Sequence, residues 1–169
     1  MLEHLKMMAR YNKWANDRVS KAIMEIDETA YLEPRAAFFG SIHGAVNHLL
    51  LVDRLWRGRM INEPYPADSL DQIVCADRDT YVRERDAEND IIIDFIDGHD
   101  AADLEKEFSY KTFVGVDGTD KRRVVLAHML NHATHHRGQV HGLLTQVPHD
   151  PPPLDLMFYI RARDAGEVS

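Results

Sequence analysis

Leu126-Ala-His-Met-Leu-Asn-His-Ala-Thr-His-His-Arg-Gly-Gln-Val140 decides how the rest of the chain is read. At about 100° per residue on a helix, His132 and His136 stand one turn apart on one face, with His128 one turn earlier. Val125, Met129, Val140 and Leu143 extend that side into an apolar stripe. Imidazoles at i and i+4 can share one metal ion, because Cβ atoms so spaced lie about 5–6 Å apart. Zn–N bonds of about 2.0–2.1 Å fit that spacing. The remainder of the chain must then supply a third ligand.

The third ligand is expected from the second of four long helices. That helix reads as 41–61, with Ser41 as its start signal. Its stripe is Ala45, His48, Leu49, Val52, Leu55 and Trp56, with His48 in the middle and His43 projecting away. Burying three imidazoles without partners costs several kcal/mol. A shared ion satisfies His48, His132 and His136 together. Three nitrogen ligands match the count of catalytic zinc sites, in which water takes a fourth position. Nickel, or iron with added waters, is equally compatible with imidazole. No Cys, Asp or Glu lies on the same faces within a turn, since Asp53 is rotated about 140° from His48. Asn12 and Asp77 are the obvious donors from elsewhere. His128 and His135 lie near the ligand face as possible outer-shell or acid/base groups, and Arg137 points off it. Arg137 and Gln139 are expected to fix helix ends or neighbouring loops.

The other helices follow from periodicity. The first is expected over 3–26, from Leu5, Met8, Ala15, Val19, Ala22 and Ile26, with Asn12 on the stripe and Trp14 beside it. Residues 27–39 read as a connection broken by Pro34, and 62–68 as a Pro-rich linker. The third helix is expected over 69–98, apolar at both ends and heavily charged from Asp77 to Asp90, a solvated or partner-facing side. Alternation at Phe108, Tyr110 and Thr112 predicts a short β excursion within 104–118, with a turn at Asp117-Gly118. The last long helix is expected over 120–146, closed by Pro148, with an amphipathic tail at 154–160. Four long helices argue for an all-α four-helix bundle, whose core can house a metal site.

Composition narrows the function classes. The 169 residues read as one domain, 1–169, with a core of its own. A formal net charge of −8 opposes non-specific nucleic-acid binding. No apolar run approaches a membrane span, and the N-terminus lacks signal-peptide order, so the chain reads as cytoplasmic. The one cysteine, Cys75, excludes an internal disulfide and reads as a half-buried thiol. The Glu-x-x-His pairs of di-iron bundles, the zincin His-Glu-x-x-His and phosphate-binding glycine loops are all absent.

The chain also resembles the DinB (DinB/YfiT-like) family of metalloenzymes along nearly its whole length. The marks are Tyr11-Asn12-Lys13-Trp14-Ala15-Asn16, then Ser41-Ile42 through Asn47-His48-Leu49 with Asp53 and Trp56. Asn131-His132-Ala133-Thr134-His135-His136-Arg137-Gly138-Gln139-Val140 is the most specific, followed by Pro152, Leu154 and Asp155. The resemblance implies an up-down-down-up bundle, a homodimer, and a divalent metal on His48, His132 and His136. It implies no nucleic-acid activity. Relatives include transferases and isomerases that use a low-molecular-weight thiol such as bacillithiol, mycothiol or glutathione. A metal favours the thiolate, the reactive form, and could equally serve hydrolysis. The expectation is a metal-dependent enzyme acting on a small molecule, with catalytic residues unassigned. Its alternatives are a metal-dependent hydrolase and a non-catalytic metal-binding stress protein.

Overall fold

The computed structural model describes residues 1–168. Among them are seven helices and one two-stranded sheet: α1 (Leu2–Glu25), α2 (Glu28–Leu32), α3 (Ile42–Met60), α4 (Arg78–Asp97), α5 (Ala101–Glu105), β1 (Glu107–Lys111), β2 (Asp117–Lys121), α6 (Arg122–Leu144) and α7 (Leu156–Asp164). The protein is mostly helical. α1 packs on α4 and α6, α3 packs on α6 and α4, and α7 lies against α1.

Three of the four long helices lie within about two residues of their periodic stretches. Ser41 caps α3 by accepting from the Gly44 N–H at 3.0 Å. The third long helix is the exception. It begins at Arg78, not at 69, and residues 69–77 form turns and bends. Asp77 caps it, accepting from Thr80 N–H at 2.7 Å. The Val74 and Cys75 N–H groups donate instead to Asn47 Oδ1, at 2.9 and 2.7 Å. A side chain of α3 thus takes the bonds that an earlier helix start would need. Leu70 and Ile73, whose spacing mimics a helical stripe, are exposed and not part of the core.

Smaller corrections share one cause: short elements carry too few residues for a period. Residues 28–32, inside the expected connection, form α2, and 101–105 form α5 on a capping box between Asp100 and Asp103. The hairpin is real but reaches Lys121. Its turn is at 112–116, with Gly115 at φ 81°, while Asp117 and Gly118 pair with Lys111 and Tyr110 in the ladder. The tail helix starts at Leu156 and runs past 160 to Asp164.

The interior has two large apolar clusters. One gathers Val19, Ile23, Ile42, Leu49, Leu50, Tyr81 and Val140; the other gathers Leu5, Ala9, Met60, Ile92, Ile96, Leu126 and Met129. On α1, α3 and α4 a buried polar layer falls between them in sequence: Asn12, Asn16, Asp53, Arg85, Glu88 and Asn89. Arg85 donates to Asp53 at 2.7 Å, Asn16 to Asn89 at 2.8 Å, and Arg57 to Glu88 at 2.5 Å. Arg137 of α6 reaches into this layer and donates to Asn12 and Asn16. It therefore ties α6 to α1 and does not serve a helix end. No helix among the described residues is long and apolar enough to cross a membrane.

Candidate metal centre

α3 and α6 pack together, and the contact places His48 opposite His132 and His136. One ligand atom from each of the three lies within 4.8 Å of the others. His48 Nε2 and His132 Nε2 are 3.4 Å apart. Two nitrogens on one tetrahedral ion with bonds of about 2.05 Å would be about 3.3 Å apart. The separation is already that of two ligands.

Proton bookkeeping favours ligation. His48 Nδ1 lies 2.7 Å from the Leu70 carbonyl oxygen, which can only accept, so Nδ1 carries the proton. His136 Nδ1 donates to Gln139 Oε1 at 2.8 Å. Both rings are thereby fixed with Nε2 as a bare lone pair. A hydrogen bond from the far ring nitrogen is the usual partner of a metal-bound imidazole. Burial pushes His48 down to about 4 and His132 down to about 3, and lowers His136 as well. All three are neutral near pH 7, the form that binds metals. His132 Nδ1 is buried with no hydrogen-bond partner among the described residues. The donor set fits a divalent ion of the zinc, nickel or iron type.

The surroundings hold these rings still. Phe39 stacks on His48 with centroids 3.9 Å apart and planes 21° apart, and meets His136 edge-on at 5.4 Å. Gly44 allows this approach: a Cβ there would sit 2.1 Å from the Phe39 carbonyl oxygen. Asn47 is fully buried and fixes the loop that carries Leu70, through Val74 and Cys75. A cavity of about 240 Å³ opens beside His48 and His132, walled by Val52, Leu55, Trp56, Phe113 and His128. Phe113 comes from the hairpin, which so forms part of the site wall.

The remaining sequence candidates are accounted for. His128 lines the cavity, meets Trp56 edge-on at 5.2 Å and is lowered by burial. His135 is exposed, with Nε2 3.2 Å from the Gln139 amide nitrogen. His43 contacts the Tyr31 hydroxyl at 3.0 Å, and His149 faces Glu25. The possible fourth donors are engaged elsewhere: Asp53 by Arg85, Asn12 by Arg137, Asp77 at the α4 cap. Cys75 is buried and burial pushes its thiol up, against a nucleophilic role. Sequence reasoning missed Phe39, the Leu70 carbonyl and the bond from His136 to Gln139. Only Gln139 left a signal, its i+3 spacing from His136.

The DinB family model matches residues 1–167. A curated relative, "Protein DinB" of Bacillus subtilis (strain 168), is 24% identical over 155 residues, covering 89% of this chain and 90% of its own. With a match along nearly its whole length, this chain belongs to the DinB family.

Proposed function

We propose that this protein is a metal-dependent enzyme of small-molecule metabolism, with one divalent ion held by His48, His132 and His136. The observation that carries the reading is the convergence of three neutral imidazoles, two of them with Nε2 stripped of its proton by bonds at Nδ1. The framework we infer is a single-domain four-helix bundle of α1, α3, α4 and α6, up-down-down-up, assembled as a homodimer in the cytoplasm. Zinc or nickel suits the ligand set best, with iron as the third choice.

A divalent metal at these residues would supply Lewis acidity toward a thiol or a water, as a transferase, an isomerase or a hydrolase requires. The protein contributes the rest. Leu70 and Gln139 set the tautomers of His48 and His136. Phe39 and the apolar cavity walls exclude bulk water from the rings. Asp53 and Asn12 are kept out of the ligand set by their arginines. The adjoining cavity supports an enzyme over a closed binding site, since a structural site has no use for an entry path.

The test is metal content and calorimetric titration of protein purified without an affinity tag. One tightly bound divalent ion per chain is expected. His48→Ala, His132→Ala and His136→Ala should each abolish tight binding, and His43→Ala and His149→Ala should preserve it. Equal losses in all five, or no metal in the unsubstituted protein, would overturn the assignment.

A further inference from the structure

The cavity beside the histidines is lined by a cation that no carboxylate among the described residues neutralises. Arg59, in the last turn of α3, lines both that cavity and a larger one of about 640 Å³ outside it. Its guanidinium lies 4.6 Å from the Trp56 ring centroid and 5.7 Å from that of Tyr110. Those two rings meet edge to face at 5.1 Å. Tyr110 is held there partly by Gly118 across the hairpin, where a Cβ would meet its ring at 2.7 Å. The two rings hold the guanidinium at the cavity by cation–π contact.

No carboxylate pairs with Arg59 among the described residues, and burial lowers its pKa with only Tyr110 opposing. Its neighbours differ: Arg54 pairs with Glu84 at 2.7 Å and Arg57 with Glu88 at 2.5 Å. The chain has 28 acidic residues for 20 basic ones, so an unpaired, half-buried arginine is not explained by a shortage of partners. A cation–π contact uses none of the guanidinium N–H groups and leaves them for a planar oxyanion. The other charged groups facing the outer cavity are Asp68 and Lys111, and Lys111 is paired with Asp117 at 2.9 Å. Among the described residues, Arg59 is the one permanently charged side chain lining the inner cavity.

We propose that this cavity is the binding subsite for a small organic carboxylate. Arg59 takes the carboxylate, and Val52, Leu55, Trp56 and Phe113 take its apolar or aromatic portion, next to His48 and His132. One guanidinium in apolar walls balances a monoanion; a phosphate dianion would leave charge uncompensated. The place of this ligand in the reaction rests on the metal assignment above, but its binding to Arg59 does not.

Trp56 lines the cavity and reports on it directly. The other tryptophan, Trp14, packs against Tyr11 and Tyr159, so a Trp14→Phe background isolates the signal. In that full-length protein, with and without metal, Trp56 emission is followed on adding 3-phenylpropionate, its neutral isostere 3-phenylpropionamide, or inorganic phosphate. The acid should bind about tenfold or more tighter than the amide, the worth of one charge-assisted interaction. Arg59→Gln should reduce the acid to the level of the amide and leave calorimetric metal affinity unchanged, with Arg59→Lys between. Equal affinity for acid and amide, indifference of the acid to Arg59→Gln, or phosphate binding as tightly as the acid would each overturn the proposal. If Arg59→Gln and Arg59→Lys fail to fold, the acid-to-amide ratio in the unsubstituted site still decides. Acid selectivity without metal binding would sink the metal assignment alone; metal binding without acid selectivity would sink this one alone.

Discussion

Replacing His132 by Leu should invert the order of stability between metal-free and metal-loaded protein. Without metal, the His132 ring is half-buried and its Nδ1 is enclosed with no hydrogen-bond partner among the described residues. Leaving a buried polar atom unsatisfied costs about 1–3 kcal/mol. Leu is apolar and of similar size, and repacking around such a swap costs under about 1.5 kcal/mol. The metal-free variant should therefore be more stable by about 1 kcal/mol. With free metal at about 100 times its Kd, the wild type gains about 2.7 kcal/mol by mass action. The variant should gain almost none of this, and so falls below wild type by about 1.5–2 kcal/mol. At about 2–4 °C per kcal/mol for a chain of this size, the variant should melt about 2–4 °C higher in chelator and about 3–8 °C lower in metal. Melts belong near pH 7.5. Burial depresses His132 to about 3 when folded, so the unfolded chain binds more protons as pH falls below about 6.5, and stability drops there for a separate reason. If metal raised both melting points equally, His132 would not be a ligand. If the variant lost stability in chelator, His132 would be a core residue kept for packing.

Two further perturbations probe the supports of the site. Asn47→Ala leaves the Val74 and Cys75 N–H groups without their acceptor; it should cost about 1–3 kcal/mol in urea unfolding and speed amide exchange in residues 70–75, and unchanged exchange would refute the anchoring role. Arg137→Leu leaves the Asn12 and Asn16 oxygens without their shared donor and should cost about 2–4 kcal/mol in the same assay, with a neutral result showing that the polar layer is not what ties α6 to α1.

What was legible in the sequence was what repeats. The first and last long helices show a 3.6-residue period over about five turns or more, and His132 and His136 are placed by it without knowing the fold. His48 stands out because it interrupts an apolar stripe on another helix. The hairpin was visible from alternation, though not the position of its turn. Phe39 and Leu70 were not visible, because one sits in a loop without a period and the other acts through its backbone carbonyl. The false start of the third helix has a particular cause. Leu70, Ile73 and Val74 share helical spacing, but Asn47 claims the N–H groups that would have confirmed it. Arg137 is expected at a helix end because a charged residue on a helix is usually solvated, whereas this one is 2% exposed.

Arg137 also bears on why the histidines stay in register. His136 and Arg137 are consecutive on α6, so their side chains leave the helix about 100° apart. His136 faces His48 on α3, and Arg137 faces Asn12 and Asn16 on α1. Turning α6 about its own axis would improve neither contact without breaking the other. The apolar contacts of α6 alone would tolerate small rotations, because hydrophobic burial is not directional. The guanidinium is directional, and it is held in the interior where a misplaced donor is expensive. The buried polar layer thus fixes the rotation of the helix that carries two of the three imidazoles. A loss of metal affinity in Arg137→Leu, whose guanidinium bonds to Asn12, Asn16 and Thr134 and to none of the three imidazoles, would be the signature of that coupling.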